Sequence, residues 1–216
     1  MKIYTYYTDS HKIFHDNYFK KTLPSELTLV DTYGTQECQS GSYYDSGWGL
    51  TTGKKIDVFI QAVKENMGGY FIFSDVDIQV FGNNKDTLIN ELGDHDIAAQ
   101  NDYFGGYCSG FFISKGNERT LNMFTQMKNN YSSYLEDQDA LNKNINLCKS
   151  KLLSNKFWTV GIEIKQQWNG QDFNIPNDIL MHHANWTVGI QNKTNLLNKV
   201  REKFNNKIGH ISTISN

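Results

Sequence analysis

Tyr70-Phe71-Ile72-Phe73-Ser74-Asp75-Val76-Asp77-Ile78-Gln79-Val80-Phe81 is an apolar run broken by two carboxylates at spacing i, i+2. Rich in Phe, Ile and Val, and bounded by Gly68-Gly69 and Gly82-Asn83-Asn84, it predicts a buried strand ending near Ser74. In extended chain, residues two apart share a face, so Asp75 and Asp77 point the same way. Two carboxylates at the end of a buried strand repel each other and lose hydration, a cost that a cation or donors must offset. Mg2+ or Mn2+, held by one or two protein carboxylates, keeps coordination positions free for phosphate oxygens. The pair therefore predicts a metal site that grips a diphosphate. The plain alternative is a polar turn at a strand end, where Asp is common.

Outward from this stretch the chain alternates strands and helices. Ile3 to Thr8 predicts a first strand, Ser10 caps a helix from His11 to Lys21, and Leu27 to Val30 predicts a second strand. Strand, helix, strand at this spacing opens a parallel α/β sheet. Gly34 to Gly53 is a long loop bearing Tyr43, Tyr44 and Trp48, of a length that suggests function. Lys54 to Asn66 places apolar residues at 56, 59, 60 and 63, a helical stripe leading into the aspartate strand. Beyond it the pattern predicts a helix over Thr87–Leu92, strands over Asp96–Gln100 and Gly110–Ser114 around an aromatic loop, and helices from Asn117 to Tyr131 and from Asp137 through Cys148. A strand over Phe157–Gln167, an apolar run over Ile179–Trp186 and an amphipathic helix over Asn195–Phe204 complete it. Residues 1–206 are read as one α/β domain and 207–216 as a tail.

Composition narrows the function. A net charge of -2 over 216 residues provides no basic field for a nucleic-acid backbone. Three cysteines without C-x-x-C spacing fit neither a disulfide framework nor a zinc cluster. No signal peptide is visible and no apolar run reaches the ~18 residues of a membrane span. The expectation is a cytoplasmic protein without a membrane segment.

In open α/β sheets, ligands gather at the carboxyl ends of the strands, where Asp9, Asp75, Asp77 and the His182-His183 pair fall. A neutral imidazole suits Mn2+, and either histidine serves, though neighbours on a strand face opposite sides. Glu136-Asp137-Gln138-Asp139 opens a helix, where the dipole favours acids. The dipole does not account for a Gln held between two aspartates.

Phe73-Ser74-Asp75-Val76-Asp77, Cys108-Ser109-Gly110-Phe111, Asp137-Gln138-Asp139-Ala140-Leu141-Asn142 and His183-Ala184-Asn185-Trp186 with Lys193, in that order, resemble a GT-A fold nucleotide-sugar transferase of glycosyltransferase families 8 and 77. The resemblance implies a single-domain, Rossmann-like α/β fold with a mixed, mostly parallel sheet flanked by helices and the D-x-D at an internal strand end. It implies transfer of a sugar from a UDP-sugar, with Mn2+ or Mg2+ and with retention, to a hydroxyl of a glycan or glycoprotein. By position, Asp75, Asp77 and His183 would hold the metal, with Asp75 also at the donor. Thr8 and Asp9 would meet the base, and Lys55, with Lys54 as the alternative, the diphosphate or donor sugar. Gly189 and Lys193 would close over the diphosphate, and Asp137, Gln138 and Asp139 would lie beside the donor sugar as catalytic residues. The sequence departs from the family 8 pattern H-x-x-G-x-x-K by a longer spacing from His183 to Gly189 and Lys193, and carries Cys108 where Asn is usual. Two other readings remain: a nucleotide- or glycan-binding module without turnover, and a phosphohydrolase using the D-x-D as nucleophile.

Overall fold

The computed structural model describes residues 1–214. Its centre is the strand predicted from the opening stretch: β3 (Tyr70–Ser74) lies between β1 (Lys2–Tyr7) and β6 (Tyr107–Lys115) in a six-stranded sheet. The order is β2 (Thr28–Tyr33), β1, β3, β6, β5 (Ile97–Asn101), β7 (Ser150–Leu152). β1 pairs in parallel with β2 and β3, β7 pairs in parallel with β5, and β6 runs against both of its neighbours, so the sheet is mixed and mostly parallel.

The alternation along β3 builds a core on each face. Phe71 and Phe73 turn towards Phe59, Phe112 and Phe124, with the Phe59 ring 4.5 Å from Phe73 and 5.2 Å from Phe112. Ile72 turns to the other core, shared with Ile3, Phe14 and Phe111. Phe59 comes from α4 (Lys55–Glu65), whose buried face holds Ile56, Val58, Phe59, Ala62 and Val63, while Ile60 is only partly covered. α6 (Glu118–Asn129) packs beside α4 and is started by a capping box between Asn117 and Thr120. The chain is thus a sheet between helical layers.

The apolar run 70–81 is not one strand. It leaves the main sheet at Ser74 and re-forms as β4 (Ile78–Val80), the first strand of a second sheet ordered β4, β9 (Met181–His183), β8 (Phe157–Thr159). Asp75 and Asp77 occupy the crossing between the two sheets.

Several local expectations are corrected. The helix expected over His11–Lys21 is a helical segment over 9–22, in which α1 (Lys12–Phe14) and α2 (Lys20–Thr22) flank a π turn at His15–Phe19. The long loop ends in a helix, α3 (Trp48–Gly53), and α5 (Lys85–Leu92) begins earlier than expected. The strand expected over Phe157–Gln167 stops at Thr159, where its partner β9 stops at His183, and turns into α8 (Val160–Ile164). α7 (Asp137–Asn144) gives way to a 3-10 turn before Cys148. The final helix, expected over Asn195–Phe204, is longer at both ends as α9 (Ile190–Ile214), and residues 215–216 lie outside the described residues.

Asp96 is the principal polar anchor of the sheet's lower end. Fully buried, it accepts two hydrogen bonds of 2.7 Å from Arg119, one of 2.8 Å from Asn117 Nδ2 and one of 2.9 Å from the Lys149 backbone. Burial pushes its carboxyl up, and these donors outweigh that and bring it down to about 2. A carboxyl held below its unfolded value contributes stability that is present above about pH 4 and lost as pH falls towards about 2. Asp96→Asn is expected to cost about 2 kcal/mol at neutral pH and to flatten the stability curve across that acid window. Urea unfolding of both proteins along a pH series checks this.

Candidate active site

Three segments distant in sequence meet at the crossing between the sheets. The β3 end supplies Asp75 and Asp77. β9 pairs with β4 so that His183 stands opposite Ile78 and His182 opposite Gln79, and the Ala184 N–H donates to the Asp77 carbonyl at 3.0 Å. This register turns His183 to the aspartates. His183 Nε2 is 3.3 Å from Asp77 Oδ1 and 3.9 Å from Asp75 Oδ2, and one ligand atom of each residue lies within 4.8 Å of the other two. His182 turns away, fully buried against Trp158, and burial lowers its imidazole to about 3.

The third segment is β6, which runs beside β3 and brings Gly110 against Asp75: the Asp75 N–H donates to the Gly110 carbonyl at 2.6 Å. A Cβ on Gly110 would lie 2.5 Å from both Asp75 Oδ2 and His183 Cε1. Only glycine leaves room for the cluster.

The donor set fits a divalent cation. Gln100 Oε1 sits 2.9 Å from His183 Nδ1, and an imidazole that donates Nδ1–H there presents Nε2 as an acceptor. That acceptor and two carboxylates then converge with no proton among them, an arrangement that a hard cation reconciles.

Two ammonium groups flank the cluster. Lys55, at the start of α4, lies 2.8 Å from Asp75 Oδ1 and 3.2 Å from Asp137 Oδ2. Burial works against its charge, but Asp137 and Asp75 more than offset this and hold it above the usual lysine range. Lys193, in the first turn of α9, pairs with Asp77 Oδ2 and donates to the Ala184 carbonyl at 3.0 Å. Burial would raise the Asp77 carboxyl, yet the Lys193 ammonium beside it presses it well below the ordinary range. For Asp75 burial wins, and its carboxyl is raised in spite of Lys55. Two equal aspartates in sequence are unequal in the fold.

Asp75, Asp77, His183, Gly110, Lys55 and Lys193 line a cavity of about 420 Å3 that also takes in Thr8, Asp137 and Gln138. Asn142 ties α7 to β6 by hydrogen bonds with the Tyr107 N–H (2.9 Å) and carbonyl (2.8 Å), and so sets Asp137 and Gln138 against the cavity. Gln138 Nε2 donates to Asp102 Oδ2 at 3.1 Å, and Trp186 Nε1 to Asp102 Oδ1 at 2.7 Å.

Three expected residues lie off the cavity wall. Asp9 is exposed, its carboxylate engaged by the Tyr33 hydroxyl. Asp139, on the far side of α7, accepts from the Leu135 N–H at 3.2 Å and pairs with Lys143 at 2.9 Å. Gly189 precedes α9 with φ +87°, a left-handed turn that glycine adopts freely. Lys54, the alternative to Lys55, faces away and pairs with Glu37 at 2.6 Å.

Sequence reasoning missed Gln100, Asp102, Glu136 and His11. Glu136, preceding the D-Q-D, accepts from Trp48 Nε1 at 3.1 Å, and burial followed by the charge of Asp137 raises its carboxyl to about 7. His11 lines the cavity with its imidazole lowered to about 4, chiefly by burial and then by Lys193. Glu136 alone had a local signal, as one acid more than a helix start needs.

The family model described as nucleotide-diphospho-sugar transferase matches residues 39–197. A search of curated proteins finds no match. Among solved structures, the fold is similar to the bifunctional glycosyltransferase WbbM in its apo form (TM-score 0.61, 12% identity, 91% of this chain and 49% of that one). It is similar also to the galactosyltransferase LgtC in complex with donor and acceptor sugar analogues (0.52, 12%, 92% and 96%). A third similar structure is a glycosyltransferase involved in glycosylation of the major capsid of PBCV-1 (0.61, 10%, 92% and 98%). The chain spans about half the length of WbbM. No helix among the described residues is long and apolar enough to cross a membrane. With the family model covering most of the sequence, from the long aromatic loop through Lys193 into α9, this GT-A chain belongs to the nucleotide-diphospho-sugar transferase family of glycosyltransferases.

Proposed function

We propose that the protein moves a sugar from a UDP-sugar to a hydroxyl of a glycan or glycoprotein acceptor, with a divalent metal and with retention of configuration. The observation that carries this is the convergence of Asp75, Asp77 and His183, flanked by Lys55 and Lys193, in the cavity that also holds Gln138. Asp75, Asp77 and His183 would hold Mn2+ or Mg2+, which when bound neutralises charge on the departing diphosphate. Lys193 stands where it would add to that neutralisation, at the N-terminus of a long helix whose free N–H groups favour phosphate oxygens. Gly189, opening that helix, lets the backbone approach them. Thr8, which follows β1 and lines the cavity, would meet the base, with Asp9 beside it on the surface in the grip of the Tyr33 hydroxyl. Lys55, fixed between Asp75 and Asp137, would reach the donor sugar or the diphosphate.

An electron-poor anomeric carbon needs a polar partner opposite the leaving group. The Gln138 amide is tethered through Nε2 to Asp102, which leaves its Oε1 as the end available to that carbon. A neutral amide is a feeble nucleophile, so Gln138 would stabilise and shield the cation while the acceptor attacks from the leaving-group side. Asp137 would contribute negative charge nearby, and Asp139, bonded to the Leu135 N–H and to Lys143 away from the cavity, would hold the start of the helix rather than touch the sugar.

A panel of UDP- and GDP-sugars with Mn2+ tests the reading. The expected result is Mn2+-dependent release of UDP from one donor, abolished by chelation and in Asp75→Ala and His183→Ala. Metal-dependent nucleotide binding with no donor consumed, acceptors included, would instead establish a binding module. Nucleotide binding indifferent to metal and to both substitutions overturns the proposal.

A further inference from the structure

We infer that Gln100, which does not line the cavity, is a positioning residue that holds the ring proton of His183 on Nδ1 and so leaves Nε2 to the metal. This rests on the metal site of the transferase reading above and names what sets its affinity.

The sheet aims Gln100 at the site. Along β5, Ile97 and Ala99 belong to one core and Ala98 to the other, so Gln100 turns with Ala98 to the face that carries Phe157. Pairing with β6 is regular up to Ala99 and Phe112 and resumes at Asn101 and Tyr107, which leaves Gln100 alone against residues 108–111. Such breaks in a ladder re-aim side chains beside functional sites.

Gln100 is fully buried, and a buried amide is costly unless both of its ends are paired. Both are. Nε2 donates to the Phe157 carbonyl at 3.3 Å, and Oε1 lies 2.9 Å from His183 Nδ1. Turning the amide over would set its oxygen against the Phe157 carbonyl, acceptor against acceptor, so the oxygen faces the imidazole. An oxygen there is satisfied only if Nδ1 carries a proton. Cys108 Sγ also lies near Nδ1, but at 3.8 Å, and it accepts from Asn185 Nδ2 at 3.7 Å. Sulfur is the weaker partner.

The resulting chain runs from the Phe157 carbonyl on β8 through Gln100 on β5 to His183 on β9, and ties the main sheet to the second sheet at the ligand. It fixes the ring's rotation as well as its proton. Packing alone would be met by a leucine; an amide is required because both of its ends are addressed.

The test compares wild type, Gln100→Leu and Gln100→Glu as full chains. Three things are measured: long-range 1H–15N spectra of the histidine rings without metal and at saturating Mg2+, Mn2+ affinity in the absence of nucleotide, and thermal melting. Both variants lose the donor to the Phe157 carbonyl, so a difference between them reports the acceptor facing His183. The expected wild-type signature is a His183 proton at Nδ1 that exchanges slowly with solvent, with and without Mg2+. Gln100→Leu should lose that signature and weaken Mn2+ binding by about 10- to 100-fold. Gln100→Glu, whose carboxylate still accepts from Nδ1, should restore the signature and most of the affinity. A wild-type Nδ1 without a proton, or wild-type Mn2+ affinity in Gln100→Leu, overturns the inference, while metal-dependent nucleotide binding by wild type keeps the transferase reading. Equal losses in both variants, with melting temperatures lowered alike, make Gln100 a packing residue and also overturn it. The wild-type spectrum decides even where a variant fails to fold. Wild type that binds neither Mn2+ nor nucleotide overturns both readings.

Discussion

Asp77→Asn is expected to lower metal-dependent donor turnover by about a thousandfold, which corresponds to about 4 kcal/mol of transition-state stabilisation. The substitution keeps the size of the side chain and removes only its charge. Asp77 is nearly fully buried and faces three groups that its charge organises: Lys193, His183 and, more distantly, His11. Asparagine would leave the Lys193 ammonium without its counter-charge and present either a weaker oxygen or an NH2 donor towards His183. Metal affinity and the placement of Lys193 should therefore fail together. Stability should fall as well, because the partly buried Lys193 ammonium loses its charge partner. Steady-state kinetics at saturating metal, a Mn2+ titration and a thermal melt separate these effects. Turnover within tenfold of wild type would show that Asp77 has no part in the reaction.

Gly110→Ala is expected to cost about a hundredfold in metal affinity and in turnover while leaving the sheet intact. The added methyl is small and its effect is geometric. Its Cβ would lie 2.5 Å from both Asp75 Oδ2 and His183 Cε1, distances that no real contact sustains. Neither neighbour yields easily: Asp75 is held by Lys55, and His183 by Gln100 and the β4–β9 register. The ligands must spread, and a displacement of about 1 Å at a metal site is enough for such a loss. Far-ultraviolet circular dichroism should be unchanged, because Gly110 sits within β6 and its backbone bond to Asp75 does not depend on the side chain. Normal Mn2+ binding by Gly110→Ala would show that the three ligand groups do not act as one site.

The local pattern carried much of this. The apolar run before Asp75 predicted β3 with an end near Ser74, and the stripe at 56, 59, 60 and 63 predicted α4 and, but for the partly covered Ile60, its buried side. Alternation within a strand and recurrence along a helix are set by neighbouring residues, so they are written in the sequence. What failed was the extent of elements whose partners lie elsewhere. β8 ends where β9 ends, and β7, a Ser-Lys-Leu stretch with no pattern of its own, is a strand only because β5 lies alongside.

The site divides in the same way. The sequence by itself determined that Asp75 and Asp77 lie together at a strand end, that one of two adjacent histidines would be available to them, and that an acid- and amide-bearing helix start exists at Asp137 and Gln138. The strand pattern left His182 and His183 open and the family resemblance named His183; only the tertiary structure supplies the cause, because the β4–β9 register fixes which imidazole faces Asp77. It alone placed Lys55 rather than Lys54 on Asp75, turned Asp139 and Asp9 away from the cavity, and recruited Gln100, Asp102 and Glu136. The reason is physical: convergence of residues tens of positions apart depends on how strands pair and helices pack, and no local periodicity encodes that pairing.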